Sequence, residues 1–273
     1  MQVVDAKKYR NKFKNMNIKE SWFDFSKSNP PDWDCPTCKK GVLNFHEKDL
    51  ILNETSASIK LREIDVHEPE WIEYGFSAKL TCSNSRCNEV VMMIGDGRVD
   101  WVPVMNEAGH PEQKYGVFFR PRYFQPNLQP IDIPERCPEY VQIALQEAFK
   151  VMFVNFELAC NQLRVAVEYI VDDFLNAAGK AIQRKKSNGE PNSLHWRIKQ
   201  IHQGVEYFES FLLAVKWIGN AGSHEVNVLK FQDFVDALGF IEEILNERYM
   251  DNRSLTRKER AIEINKIHER LKK

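Results

Sequence analysis

Two periodicities divide the chain. Between residues 42 and 120 apolar and polar positions alternate in short runs, and from Glu139 onward apolar residues return every three or four positions. The runs ILNETSASIKLRE, WIEYGFSAKLTC, EVVMMIGDGRVDWV and YGVFFRPRYF are rich in β-branched and aromatic side chains and predict an antiparallel meander. Gly95-Asp96-Gly97 reads as the turn of one of its hairpins. Further on, Leu145, Phe149, Met152 and Phe156 form an apolar stripe, followed by Leu163, Val167, Ile170 and Phe174. Phe208, Leu212 and Val215, then Phe234, Leu238, Ile241 and Leu245, repeat the spacing. Trp196 and Trp217 lie among these stripes and are expected in the core, because large apolar groups bury first.

Prolines separate the two regimes. Pro121, Pro126, Pro130, Pro134 and Pro138 each remove a backbone donor and restrict the preceding residue, so this stretch predicts neither a helix interior nor a central strand. The expected organisation is a basic helical lead over 1–28, a β domain over 29–120, a proline-rich linker over 121–138, a helical bundle over 139–250 and a basic C-terminal helix over 251–273. The fold class is α+β, with the β domain in front of an all-α domain. Ser193 stands where it would cap the short helix LHWRIKQI, after a polar loop over 185–192.

Composition narrows the class of molecule only slightly. Hydrophobic residues at 43% and charged residues at 28% describe a globular chain. No window approaches the roughly 20 apolar residues of a membrane span, and the polar first residues lack the apolar core of a signal peptide, so no membrane partner and a cytoplasmic location are expected. Lys plus Arg (38) balance Asp plus Glu (39), which argues neither for nor against an acidic partner. Basic residues do gather at the two ends, from Lys7 to Lys19 and from Arg253 to Lys273, as solvated helix faces or phosphate-binding segments do.

The cysteines carry the sharpest chemistry. Cys35-Pro-Thr-Cys38 precedes Lys39-Lys40-Gly41, where the glycine is expected to supply a positive φ that turns backbone amides toward sulfur. Cys82 and Cys87 bound a second, slightly longer turn. Two such turns offer four thiolates to one tetrahedral ion, so Cys35, Cys38, Cys82 and Cys87 are read as the ligands of a single structural Zn²⁺ per chain. All four positions are thiolates, which leaves no open coordination site for catalysis. The arrangement resembles a zinc ribbon, with extra strands inserted between Cys38 and Cys82. Cys137 and Cys160 fit no such pattern and are read as ordinary linker and core residues. His46 and His67 lack the surroundings a nuclease would need.

The segments IPERCPEYVQIALQEAFKVMFVNFELACNQLRVAVEYIVDDF, LHWRIKQI, LLAVKWIGNAGSHE and DFVDALGFIEEIL, over roughly residues 120–248, together resemble the bacterial DUF4145 family, which is related in fold to HEPN helical domains. Leu163-Arg164 with Glu168, and the run Trp217 to His224, carry most of the likeness. The resemblance implies an up-and-down bundle that dimerises through the helices bearing these motifs. It also implies a setting in phage defence or restriction. In the wider HEPN group some members are metal-independent ribonucleases, with an Arg that stabilises phosphate charge and a His as acid or base. This chain keeps Asn220 and His224 but has Gly219 where that Arg would stand. Lys216, Asn220 and His224 are spaced by four, so on one helix they form a stripe in which Lys216 replaces the missing cation, with Arg164 as a second choice. Against catalysis, Asn and His beside glycines often serve structure, and Arg164 with Glu168 is an ordinary ion pair one helical turn apart.

Three functions follow as expectations. The first is a zinc-stabilised protein that associates with RNA or DNA and forms a homodimer through its helical domain. The second is a HEPN-type endoribonuclease using His224, Asn220, Lys216 and Arg164. The third is a subunit of a larger defence assembly whose chemistry lies on a partner protein.

Overall fold

The computed structural model describes residues 18–105, 109–179, 185, 189–190, 192–201, 206–224 and 229–250, without the side chains of 206–207 and 222–224. Of the helical lead expected over 1–28, residues 1–17 lie outside the described residues, as do the helix expected over 251–273 and half of the loop over 185–192.

An antiparallel sheet precedes a helical bundle. Its strands are β1 (Phe25–Ser26), β2 (Trp33–Asp34), β3 (Val42–Glu54), β4 (Glu73–Cys82), β5 (Val90–Met105) and β6 (Pro111–Gln125), in the order β1-β6-β5-β4-β3-β2. This is a meander whose first short strand returns to the far edge. A helix, α1 (Ser56–Leu61), interrupts the stretch expected to be continuous strand. Thr55 explains the interruption, since its side chain accepts a hydrogen bond from the Ser58 amide and caps the helix.

Two local expectations are corrected. Gly95-Asp96-Gly97 is not a turn but the middle of β5, paired with β4 and β6. There the register of β5 against β6 shifts between Ile94 and Gly95, and a Cβ on Gly95 would sit 2.2 Å from the Arg120 carbonyl oxygen. The glycine permits a close backbone approach at this bulge. Pro121 is part of β6, opposite Gly95. It is tolerated because β1 covers β6 only at Phe118 and Phe119, so Pro121 lies on an open edge that asks for no donor.

The bundle comprises α2 (Glu139–Val151), α3 (Phe156–Ala177), α4 (Leu194–Lys199), α5 (Glu206–His224) and α6 (Phe231–Tyr249). Asn155 starts α3 by accepting from the Leu158 amide, and Ser193 starts α4 by accepting from the Trp196 amide. The apolar stripes point inward: Leu145, Leu163, Val167, Ile170, Leu212, Val215, Leu238 and Ile241 are all buried. Sheet and bundle share one apolar core. Phe124 of β6 meets Phe153 of the α2–α3 turn at 4.6 Å between ring centres, and Phe23 stacks on the same Phe153 at 4.8 Å. No helix among the described residues is long and apolar enough to cross a membrane.

Candidate functional site

The sheet topology brings the two cysteine turns together. The first joins β2 to β3 and the second joins β4 to β5. Because β3 and β4 are antiparallel, with Leu43 opposite Cys82, the start of one and the end of the other meet at the same end of the sheet. Backbone hydrogen bonds then fasten turn to turn: the Ser83 amide donates to the Val42 carbonyl at 2.8 Å, and the Val42 amide donates to Ser83 Oγ at 3.0 Å. The Thr37 hydroxyl donates to Glu89 across the same gap.

The four sulfurs lie within 4.8 Å of one another. Cys35 Sγ is 3.8 Å from Cys87 Sγ, and Cys38 Sγ is 3.7 Å from Cys82 Sγ. A disulfide requires about 2.05 Å. Four thiolates at about 2.3 Å from one Zn²⁺ in a tetrahedron stand about 3.8 Å apart, the spacing of these two pairs. The surroundings suit anionic sulfur as well. The Asn84 amide points at Cys82 Sγ from 3.4 Å, and the Asn84 side-chain nitrogen at Cys38 Sγ from 3.6 Å. Hydrogen bonding from the Lys40 backbone brings the Cys38 thiol down to about 6, whereas burial pushes Cys82 up to about 12. One ligand is therefore a thiolate near neutrality, and a buried one needs a cation to become so.

Gly41 serves a different purpose from the one expected. The positive φ values of the two turns belong to Lys39 (54°) and Asn88 (51°). A Cβ on Gly41 would lie 2.6 Å from Cys82 Sγ and 2.9 Å from the Asn84 nitrogen, so this glycine leaves room for the second turn to close against the first. Cys137 and Cys160 are buried apart from the cluster, and burial pushes both thiols up to about 12.

The second candidate region is the crossing of α3 and α5. Helix α5 runs without a break through Gly219 and Gly222, which places Lys216, Asn220 and His224 on one helix at four-residue steps. Asn220 is half-buried, and the His224 side chain lies outside the described residues. Gly219 faces α3: a Cβ there would be 2.5 Å from Arg164 Cβ and 2.8 Å from the Cys160 carbonyl oxygen. An arginine has no room at this position.

The close crossing sets Lys216 beside Arg164. Lys216 is only 8% exposed, its ammonium sits 3.3 Å from the centre of the Trp217 ring, and no acid among the described residues is within ion-pair distance of it. Burial, and then the charge of Arg164, lower its pKa. Arg164 is held on its other side by Glu168 at 2.9 Å and by Asn161 at 3.5 Å. That ion pair is not an isolated surface contact. Glu168 also accepts from Arg197 at 2.8 Å, and Arg197 reaches the buried Asp172 at 2.7 Å, so the carboxylates of α3 tie α4 to the bundle. Arg197 is thus a structural residue. Trp196 and Trp217 depart from expectation: both are exposed, Trp217 by 58%, because neither continues the apolar stripe of its helix. The His195 ring lies 6.3 Å from that of Trp217. Sequence reasoning missed Trp217 as a surface residue, although its place two positions after Val215 puts it on the opposite side of the helix.

A cleft of about 1050 Å³ also opens between the sheet and the bundle, lined by Arg98, Arg122, Phe153 and Phe231 among others. Two of its cations are engaged with acids, Arg98 with Asp24 at 3.0 Å and Arg122 with Asp96 at 2.6 Å.

Two family models match the chain. One, a domain of unknown function designated DUF8608, covers residues 23–124, and the other, the domain of unknown function DUF4145, covers residues 146–270. No curated protein and no solved structure matches. The match to residues 146–270 makes the C-terminal helical part a DUF4145-family domain, and it stands behind a β domain whose four-cysteine cluster is geometrically able to chelate a metal ion.

Proposed function

We propose that this chain is a zinc-stabilised, nucleic-acid-associated protein that forms a homodimer through its helical domain. The observation that carries the metal half is the set of four sulfurs within 4.8 Å of one another, with two pairs at 3.7 and 3.8 Å. A closed set of four thiolates holds zinc as a structural brace and offers no coordination site to a substrate. The nucleic-acid half is supported by the two adjoining cations at the α3–α5 crossing, one of them buried and, among the described residues, without an acid. Phage defence or restriction, which the DUF4145 likeness implies, is the setting this reading fits.

The metal half is tested by elemental analysis of protein purified without added metal: one zinc per chain is expected, falling in Cys35→Ser. The other half is tested by binding of labelled RNA and DNA and by the mass of the protein in solution. A monomer with no affinity for either polymer at low salt would refute it.

The unbroken course of α5 favours a second reading, a metal-independent ribonuclease with His224 as acid or base. Cleavage of mixed RNA in EDTA by the wild type, abolished in His224→Ala, would select it. Gly219 weighs against it, since the crossing leaves no space for the arginine of the HEPN motif.

A further inference from the structure

We propose that Lys216, Arg164 and Trp217 form a binding site for an unpaired nucleotide of single-stranded nucleic acid, the two cations taking its phosphate and the exposed indole stacking its base. This names the ligand class of the nucleic-acid association proposed above and rests on that reading.

The inference begins with a charge that no acid among the described residues compensates. A lysine that is 8% exposed normally has a carboxylate within reach, because taking an ammonium out of water is costly. Around Lys216 the nearest charge of note is instead another cation, Arg164. The repulsion is not accidental crowding, since the two residues are brought together by a helix crossing so close that only a glycine fits at 219. Arg164 is also kept from turning away: Glu168 and Asn161 hold its guanidinium from one side, and Arg197 and Asp172 hold Glu168 in turn. Two oriented positive charges with one acid shared among several partners favour an anion arriving from solvent.

Trp217 decides which anion. Trp217 is 58% exposed and adjoins the buried lysine, so an open indole surface lies beside the two cations. The ammonium of Lys216 occupies one side of the ring at 3.3 Å from its centre. The exposed remainder of the indole provides a stacking surface beside the cations. Aromatic platforms next to phosphate-binding cations are how single strands are held without reading their sequence. In a duplex the bases already stack on each other, and none is free to cover the ring.

The test is fluorescence anisotropy with labelled 12-nucleotide single-stranded RNA, single-stranded DNA and the corresponding duplex, using the full chain at low salt. Wild type is expected to bind one or both single strands at least about tenfold more tightly than the duplex, and the two single-stranded arms tell whether the strand is RNA or DNA. Trp217→Ala is expected to weaken single-strand binding roughly tenfold or more, with Trp217→Phe recovering part of the loss. Lys216→Met is expected to reduce the slope of log affinity against log salt by about 0.7, the share of one phosphate contact. Trp217 is exposed, so an unchanged melting temperature in Trp217→Ala verifies that the fold is intact. Strand binding that survives both Trp217→Ala and Lys216→Met would overturn the site while leaving nucleic-acid association standing. Absence of binding by the wild type to every nucleic acid would overturn both. A change from dimer to monomer in Trp217→Ala, with strand affinity unaltered, would make Trp217 part of a self-interface and overturn the site as well.

Discussion

The cysteine end of the sheet and the crossing of α3 and α5 each gather side chains distant in sequence, by opposite means. At the sheet, four groups that repel one another as anions are held near a common centre, at the spacing that one dication would satisfy. At the crossing, two cations are pressed together and nothing on the chain neutralises Lys216 among the described residues. Both assemblies use a glycine as the point of closest approach, Gly41 against Cys82 and Gly219 against Arg164. The comparison separates two kinds of site. One is able to be completed by a metal ion, which would stabilise the fold; the other carries a charge that burial makes costly among the described residues.

The largest effect that would break this comparison is loss of the metal. Cys82→Ser, or a strong chelator, is expected to lower stability by several kcal/mol, since structural zinc supplies about 10 kcal/mol or more to small folds. Calorimetry is the measurement. Because Phe124 and Phe23 pack on Phe153, the helical signal in circular dichroism is expected to melt earlier as well. A helical transition that ignores the metal would show that the two parts fold separately.

Next in size is the carboxylate that secures α4. Asp172→Ala leaves Arg197 charged and buried with only Glu168 to face, and is expected to cost about 3–5 kcal/mol in chemical denaturation. Gly219→Ala should follow at about 1–3 kcal/mol, from overpacking against Arg164 and the Cys160 carbonyl. Its sign is diagnostic. In a helix free of close contacts alanine stabilises relative to glycine by about 1 kcal/mol, so an increase in stability would mean that the helices do not approach as described.

The smallest expected effect runs in the favourable direction. Lys216→Met removes the uncompensated charge and should raise stability by about 1 kcal/mol, while impairing any anion binding at the site. The pH dependence follows from the direction of the shift. Burial and Arg164 make the folded protein bind the Lys216 proton less tightly than the unfolded chain does, so this group adds stability as pH rises from its lowered folded value toward the ordinary 10.5. Unfolding free energies across that alkaline window should climb in the wild type relative to Lys216→Met. Parallel curves would remove the electrostatic half of the comparison.

The four-cysteine cluster was legible because its signal is local: each cysteine pair lies within one turn, and thiols at that spacing have few other uses. What escaped was the division of labour within the turns. Lys39 and Asn88 carry the positive φ, and Gly41 supplies space, because the constraint on Gly41 comes from the other turn, 41 residues away at Cys82. The same holds for Gly95. Read locally, Gly95-Asp96-Gly97 makes a turn; paired between β4 and β6, it is continuous strand facing a bulge in β6. Thr55 was a cap hidden inside a strand-like run. For the helices, the stripes from Leu145 to Leu245 mark what is buried, and Ser193 is the cap its position announces.

By itself the order of residues determined the change from a two-residue to a helical period, the two cysteine turns and the helix stripes, since each of these depends on neighbours within one turn of backbone. Tertiary structure alone decided that Gly219 is a contact instead of a place for an arginine, that Lys216 lies beside Arg164 with no acid among the described residues, and that Trp217 faces solvent. The physical reason is range. Hydrogen bonding and hydrophobic periodicity act along the chain, whereas exclusion by a missing Cβ and repulsion between like charges act across whatever the fold has brought within a few ångströms.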